Sequence, residues 1–368
     1  LCKAGTLDPQ KVNGKILVCL RGGNARVDKG EQAALAGAIG MVLVNDRATG
    51  NEIIADAHVL PASHINYKDG LALLSYINST RSPVARITKP TTQLGTKPAP
   101  FMAAFSSVGP NTITPEILKP DITAPGVSII AAYSRALAPT EEDFDTRRVW
   151  FNSESGTSMS CPHVSGVAGL LKTLHPKWSP AAIKSAIMTT ANTLDNTLRP
   201  MTTASDAEAT PFNYGGGHVQ PNLAMDPGLV YDLSTTDYLD FLCTIGYNKT
   251  QIQLFSNETH TCQKRMRLID FNYPSITVPR LNGMVNVTRK VKNVGTPGVY
   301  KALVLSPRGI SVRIEPDTLK FKSDGEEKRF VVIIQAKSSG GRRAYVFGKL
   351  TWSDGKHNVT SHIVVKQI

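Results

Sequence analysis

The chain has 368 residues, enough for two or three domains that each bury an apolar core. Its 41% hydrophobic and 19% charged residues are typical of a folded globular protein, and no run of about 18 apolar residues predicts a transmembrane helix. The net charge of +12 lies entirely between Arg265 and Ile368, where 19 basic residues stand against 7 acidic ones. No zinc-finger, basic-zipper or aromatic RNA-binding motif accompanies this basic region, so nucleic-acid binding is not expected.

The first ninety residues predict a small mixed domain. Two short runs rich in Val, Ile and Leu, Gly14–Leu20 and Gly40–Asn45, have the composition of strands, and a segment of helical composition separates them. The loop RGGNAR after the first run does not match the glycine pattern of a nucleotide site, and we interpret it as a turn. A further helix is expected over Asp69–Ser79, with Asp69 as its N-cap.

A linker rich in Thr, Pro and Lys, Lys89–Pro100, leads into a second region. Met102–Phe105 and Val127–Ala132 are short apolar runs that predict buried strands. Farther along, Ser179 and Pro180 predict the start of a helix, because serine caps the first N–H groups and proline suits the first helical position.

From about Arg265 the sequence changes to short segments of alternating character, such as ISVRIEP, KRFVVIIQA and TSHIVVKQI. Alternation with a period of two predicts strands that bury one face, and about 100 residues of this pattern is the usual size of a β-sandwich. We therefore expect an all-β C-terminal domain that carries the whole excess of positive charge.

The segment GTSMSCPHVSG places Ser158 at or next to the first residue of a helix, after a tight lead-in of Gly156 and Thr157. The first N–H groups of a helix have no partner within it, and its positive end favours the negative charge that an oxyanion hole must stabilise. A serine at a helix start is more commonly only an N-cap. The small residues that follow predict a helix packed on several sides, with Pro162 in its first turn.

GTSMSCPHVSG resembles the serine signature of subtilisin-like serine peptidases (subtilases, peptidase family S8). FSSVGPN, ILKPDITAPGVSIIAAYS, NYGGGHVQPNLAMDPGLVYD and FNYPSI resemble phrases of the plant branch, although Val108 stands where that branch usually has arginine. The implied fold is α/β. A protease-associated (PA) α+β insert covers 1–90, the C-terminal part of a parallel-sheet subtilisin-like catalytic domain covers 91–263, and a fibronectin-III-like β-sandwich covers 264–368.

The resemblance implies a secreted serine endopeptidase that forms an acyl-enzyme on Ser158, with the Ser158 N–H as one oxyanion donor. The family's Asp, His and oxyanion Asn precede the PA insert, and this sequence has no D-[ST]-G, H-G-T-H or A-G-N motif for them. We expect them upstream of Leu1 and the isolated chain to be inactive. His163 lies about 140° around the helix from Ser158, so a buried structural histidine is expected, and Cys161 is expected to pack as a small apolar group.

Cysteines and glycosylation motifs favour an oxidising compartment. Local disulfides Cys2–Cys19 and Cys243–Cys262 would leave Cys161 as a free thiol, although spacing alone does not decide the pairing. No Cys or His spacing predicts a metal site, and no cofactor is expected. Candidate glycosylation sites are Asn78, Asn248, Asn257, Asn286 and Asn358. An extracellular location follows, in the apoplast or cell wall.

The sequence leaves an alternative function open. A chain without its catalytic base could be a non-catalytic secreted glycoprotein module that binds protein or acidic cell-wall polysaccharide. Candidate partners are a polypeptide substrate, a second copy through the PA insert, and a polyanion through the basic sandwich. Neither nucleic acid nor a membrane is expected as a partner.

Overall fold

The computed structural model describes residues 1–256, 260–262, 266–337 and 344–368. These residues form two compact units, each assembled from segments that are distant in sequence. Unit one consists of Leu1–Ser106, Pro125–Pro162 and Leu194–Ala209, and unit two of Ser107–Ala124, His163–Thr193 and Thr210–Ile368. None of the helices in the described ranges is long and apolar enough to cross a membrane.

Unit one contains a three-stranded parallel sheet and a separate pair of strands. Its elements are α1 (Pro9–Val12), β1 (Ile16–Leu20), α2 (Arg26–Leu35), β2 (Gly40–Val44), β3 (Ala62–Ile65), α3 (Tyr67–Ser79), β4 (Ile129–Ala132), β5 (Phe151–Glu154) and the first residues of α4 (Thr157–Leu174). The sheet has the order β1-β2-β3, and both strands predicted in the first ninety residues belong to it. Its core packs Met41 and Leu43 of β2 against Cys2 and Cys19.

Helix α3 begins before the predicted position. The Asn66 side chain accepts a hydrogen bond from the Asp69 N–H at 2.8 Å and is therefore the N-cap, so the prediction of Asp69 in that role was wrong. Asp69 lies instead in the first turn, where a carboxylate interacts favourably with the positive end of the helix. The next residue, Gly70, is buried against Val44 of β2, and any Cβ at this position would overlap the valine side chain. Glycine thus allows α3 to pack closely on the sheet.

The two strands predicted in the second region have different outcomes. The last four residues of Val127–Ala132 form β4, which pairs antiparallel with β5, but the prediction that this strand is buried was wrong, since Ile130 is 78% exposed. The prediction of a strand at Met102–Phe105 was wrong, because only its first residue forms an isolated bridge, with Thr203. The N–H of Ala104 donates instead to a carboxylate oxygen of the buried Glu52, at 2.7 Å. The Ala104 N–H is therefore bound to a side chain and is not available to a neighbouring strand.

Unit two combines the rest of α4 and several helices with a β-sandwich. Its further elements are α5 (Pro180–Thr189), α6 (Pro211–Tyr214), α7 (Pro221–Ala224), β6 (Leu229–Val230), α8 (Thr235–Thr244), α9 (Lys249–Ile252), β7 (Ile276–Leu281), β8 (Met284–Asn293), β9 (Gly298–Leu305), β10 (Ile310–Glu315), β11 (Thr318–Phe321), β12 (Glu327–Ala336), β13 (Tyr345–Ser353) and β14 (Asn358–Gln367). The strands form a four-stranded sheet, β10-β12-β8-β6, and a five-stranded sheet, β11-β9-β13-β14-β7. The all-β domain predicted from the alternating pattern is confirmed.

Inward-facing aromatic side chains fill the space between the two sheets. Trp352 of β13 and Phe330 of β12 are both fully buried, and their rings meet edge to face with centroids 5.1 Å apart. Edge-to-face contact is a preferred arrangement of aromatic rings, because it brings the positive edge of one ring to the negative face of the other. The alternating sequence thus places large side chains of opposing strands in one core.

Helix α5 links the helical part of unit two to the sandwich. Ser179 is its N-cap and Pro180 its first residue, as predicted. On the buried side of the helix, Ser185 Oγ accepts a hydrogen bond from the Tyr231 N–H at 2.9 Å. The Tyr231 hydroxyl in turn accepts one from Ser361 of β14 at 2.8 Å. A single buried tyrosine therefore connects α5 to the five-stranded sheet.

The outer face of the five-stranded sheet is partly covered by the segment around α6. Tyr345 and Phe347 of β13 both contact Phe212 edge to face. On the neighbouring strand, His362 is buried with Nε2 at 3.2 Å from the carbonyl oxygen of Gly216. Burial lowers the pKa of His362 to about 4, so its imidazole is neutral at neutral pH.

A second buried histidine of unit two has the opposite electrostatic environment. His357, in the turn between β13 and β14, lies with Nδ1 at 2.8 Å from Asp354 and Nε2 at 3.1 Å from Asp226. Burial by itself would lower the pKa of His357, but the two carboxylates outweigh burial and raise it. Contacts of the ring with Asp354 and Asp226 therefore connect this turn to the segment before β6.

We expect His357→Gln to destabilise the protein more at about pH 5 than at about pH 8. A group whose pKa is raised in the folded state stabilises the fold below its unfolded pKa, and that stability is lost as the pH rises through the folded pKa. Urea denaturation at the two pH values measures the difference in the free energy of unfolding.

His362→Gln is the matched control, with the opposite pH dependence. Its pKa is depressed in the folded state, so the wild-type protein loses stability as the pH falls from about 6.5 toward 4. The control variant should therefore differ from wild type more at about pH 8 than at about pH 5. If His357→Gln lowered the free energy of unfolding by the same amount at both pH values, the proposed contact of a charged His357 ring with the two carboxylates would be contradicted.

Candidate active site at Ser158

Ser158 is the second residue of α4, and its side chain is exposed. Within the described ranges, no acceptor takes the N–H of Thr157 or of Ser158, whereas the N–H of Met159 donates to the Gly156 carbonyl at 3.0 Å. Two N–H groups at the positive end of the helix are therefore available to an oxygen beside the Ser158 hydroxyl. The predicted place of Ser158 at the helix start is the observed one.

The loop before α4 is fastened to the segment before β4. The Gly156 N–H donates to the Gly126 carbonyl at 2.8 Å, and the Ser128 N–H donates to Ser155 Oγ at 2.7 Å. Ser128 has a φ of 53°, and its Oγ accepts a hydrogen bond from the Ala55 N–H at 3.2 Å. Because β4 and β5 pair directly beyond these contacts, backbone hydrogen bonds on two segments determine the path into the helix.

Gly126 is a position where only glycine fits. A Cβ at this residue would overlap Ser160 Oγ and lie 2.9 Å from the Gly156 carbonyl oxygen, closer than packed atoms approach. Gly126 is not among the residues predicted from the sequence. The Pro–Gly pair in ITAPGVS indicates a turn, but a contact with a helix more than thirty residues away leaves no local signal.

Helix α4 is more exposed than predicted. Leu171 is the only residue of this fully described helix that is fully buried, while Val164 and Ala168 are half-buried against α5 and its neighbours. The prediction of a helix packed on several sides was wrong. Small residues permit close packing but do not supply the partner, and Gly166 and Gly169 have open space around their Cα atoms.

Three details of the serine segment also differ from the predictions. Cys161 and His163 are exposed, so the predictions of a packed thiol and of a buried histidine were wrong. Pro162 lies inside α4, beyond its first turn. Proline has no N–H, so it cannot donate to the carbonyl of Ser158, four residues earlier.

The described residues do not supply Ser158 with a base. Its Oγ forms no hydrogen bond to any of them. Two other histidines have partners of their own, since His64 contacts Asn45 at 2.7 Å and His260 contacts Asp240 at 3.0 Å. The same ranges contain no group of three or more His, Cys, Asp or Glu residues that could hold a metal ion.

The cysteines pair locally, and the described glycosylation candidates are on the surface. Cys2 is joined to Cys19 and Cys243 to Cys262, which leaves Cys161 as a free thiol. Four of the candidate asparagines have exposed side chains: Asn78, Asn248, Asn286 and Asn358. The fifth, Asn257, lies outside the described residues.

Comparison with known proteins supplies the family. The model of the subtilase family matches residues 22–217, more than half of the chain, and includes Ser158 and the loop that holds it. The chain belongs to the subtilase family. A fibronectin type-III domain model matches residues 270–365, which contain β7 to β13 and most of β14.

Curated members of the subtilase family match this chain over its whole length. Subtilisin-like protease SBT5.4 of Arabidopsis thaliana is 63% identical over 370 residues, which cover 100% of this chain and 47% of that protein. Subtilisin-like protease SBT5.3 of the same plant is 57% identical, with coverages of 100% and 48%. Subtilisin-like protease Glyma18g48580 of Glycine max is 50% identical, with the same coverages. The chain thus spans about half the length of the curated relatives it matches.

We expect Gly126→Ala to loosen the start of α4 and to destabilise the protein by about 1–3 kcal/mol, because the added methyl group has no space. Urea denaturation measures the loss, and hydrogen–deuterium exchange should become faster at the amides of Gly156 and Met159. Gly166→Ala is the matched control, because it adds the same methyl group at a position of α4 that has open space around it. This variant should be neutral or stabilise the protein by up to about 1 kcal/mol. Equal changes of the free energy of unfolding and of amide exchange in the two variants would contradict the close contact of Gly126 with the start of α4.

Proposed function

We propose that Ser158 is the nucleophile of a serine endopeptidase that cleaves peptide bonds through an acyl-enzyme. The observation that carries the proposal is an exposed serine hydroxyl beside two unpaired N–H groups at a helix start, inside the region that matches the subtilase family. In such a reaction Oγ attacks the substrate carbonyl while a base accepts its proton. The Ser158 N–H lies where it would stabilise the resulting oxyanion.

The proposal assigns the base, its orienting carboxylate and a side-chain oxyanion donor to protein outside Leu1–Ile368. Three observations support this assignment. The sequence lacks the family's motifs for these residues, no described residue hydrogen-bonds to Ser158 Oγ, and the chain spans about half the length of its relatives. The contribution of this chain to catalysis is then the nucleophile, one backbone donor and the loop that positions both.

The proposed location is extracellular, in the apoplast or cell wall, and the proposed substrate is a polypeptide. Two disulfides and four exposed asparagines in N-x-[ST] motifs support an oxidising, glycosylating route of synthesis. A chain without turnover would suit the alternative function, a secreted glycoprotein module that binds protein or acidic polysaccharide. The excess charge of its C-terminal domain favours an acidic partner in that case.

A fluorophosphonate probe tests the nucleophile on the full-length protein. We expect the probe to label Ser158, and Ser158→Ala to abolish labelling and lower peptidase activity by at least about 1,000-fold. Ser165→Ala is the matched control, because it removes another exposed hydroxyl from α4 and should keep both labelling and activity. Labelling that persists in Ser158→Ala would refute the assignment.

The isolated 368-residue chain should react with the same probe no faster than its Ser158→Ala variant. A serine hydroxyl without a base is a weak nucleophile at neutral pH, so the free N–H groups alone are not sufficient. Mass spectrometry of the labelled tryptic peptide measures the rate. Fast labelling that depends on Ser158 would mean that the base lies within the chain.

A further inference from the structure

The sandwich of unit two has two incomplete strand edges that line the same groove. Strand β11 pairs with β9 on one side, and on its other side it has no partner among the described strands. Strand β12 pairs with β10 only from Val331 onward, so that side of its first residues is also unpaired. A shallow, open groove of about 510 Å³ is lined by both strands, with Thr318 and Lys320 on the β11 side and Glu327 and Arg329 on the β12 side.

The alternation of an antiparallel ladder determines which backbone groups of β11 face the groove. The Ala302 N–H donates to the Asp317 carbonyl at 2.9 Å, and every second residue pair along β9 and β11 is then hydrogen-bonded. Thr318 and Lys320 fall between those pairs, so their N–H and C=O groups point away from β9. No described residue forms a hydrogen bond with these groups.

The same reasoning applies to β12. The Asn293 N–H donates to the Glu326 carbonyl at 2.9 Å, and the hydrogen-bonded pairs of β8 and β12 alternate from there. Glu327 and Arg329 fall between them, and their backbone groups point away from β8 into the region that β10 does not reach. The groove therefore presents unpaired N–H and C=O groups from both of its walls.

The side chains make the groove positively charged. Three cations line it, Lys320, Lys328 and Arg329, against one carboxylate, Glu327. Glu327 is already paired with Lys290 outside the groove, at 2.9 Å, and Lys328 is paired with Glu326 at 2.8 Å. Lys320 and Arg329 are exposed and have no ion-pair partner within the described ranges. An occupant that brings negative charge would therefore meet uncompensated positive charge on each wall.

We propose that this groove binds an extended acidic segment of another protein, which adds as a strand to the free edge of β11. Strand addition satisfies the backbone groups of Thr318 and Lys320, and acidic side chains of the segment pair with Lys320 and Arg329. The edge of β11 is four residues long, about 13 Å, so the contact involves a short stretch of the partner.

Charge and backbone chemistry separate this occupant from two others. A second copy of this sandwich would bring further positive charge to the edge, and edge lysines disfavour such self-pairing. An acidic polysaccharide offers negative charge but no alternating N–H and C=O groups for the ladder. The inference does not depend on the peptidase function, because no residue of the groove belongs to the site at Ser158.

Fluorescence anisotropy with the full 368-residue chain tests the proposal. The probe is a fluorescein-labelled peptide of three Glu-Val repeats, at low ionic strength, where charge contacts are strongest. We expect the double substitution Lys320→Glu with Arg329→Glu to weaken binding at least about tenfold. Arg280→Glu with Lys349→Glu is the matched control, because it makes the same change in charge at exposed strand positions outside the groove and should weaken binding less than about threefold.

Two further probes separate strand addition from attraction by charge alone. A Glu-Val peptide that is N-methylated at alternate residues keeps its charge but loses the N–H groups of one edge, and it should bind at least about tenfold more weakly. Polygalacturonate at an equal concentration of charge should not displace the unmodified peptide. The proposal is wrong if the unmodified peptide does not bind, if both double variants weaken it equally, if N-methylation has no effect, or if polygalacturonate displaces the peptide.

Discussion

An α-helix cannot pair the N–H groups of its own first turn, and the candidate active site is built on that constraint. In most helices a capping side chain or water satisfies these groups. Here Ser158 lies inside the first turn instead of at the cap, so its hydroxyl and an unpaired N–H project from the same end of α4. The loop before α4 must then be held in place by contacts that leave the Ser158 hydroxyl and N–H uncovered. The Gly156–Gly126 hydrogen bond and the absence of a side chain at Gly126 meet both requirements.

Unit two relies on polar contacts at buried positions rather than on apolar packing alone. The Tyr231 hydroxyl connects Ser361 of the sandwich to a residue whose N–H is bound to α5. A buried polar group costs free energy when it is unpaired. Such contacts therefore specify one arrangement of helix and sheet more strictly than apolar packing does. His357 and His362 follow the same rule with opposite shifts of the pKa, since His357 contacts two carboxylates whereas His362 is buried beside the Gly216 carbonyl and the Tyr214 ring.

The parts of the fold that depend on local chemistry could be predicted from the sequence. Ser179 caps α5 through its own side chain and Pro180 suits the first helical position, and the alternation in KRFVVIIQA indicates a half-buried strand without reference to its partners. Predictions failed where a distant group decides the outcome. Glu52 takes an N–H of the expected strand at Met102–Phe105 from fifty residues away, and the exposure of α4 depends on what packs beside it. The position of Ser158 at the start of a helix could be predicted from the local sequence, whereas the supporting contact at Gly126 could not.

Pro162 has a mechanical consequence for the backbone of Ser158. The N–H of Ser158 is unpaired because the helix starts there, and its carbonyl receives no N–H from the residue four positions later because that residue is proline. Ser158 therefore belongs to α4, but neither its N–H nor its carbonyl forms an i→i−4 hydrogen bond. A small shift of the Ser158 backbone is therefore not opposed by an i→i−4 hydrogen bond of its own. The first turn of α4 can adjust at this residue while the helix beyond Pro162 stays in place.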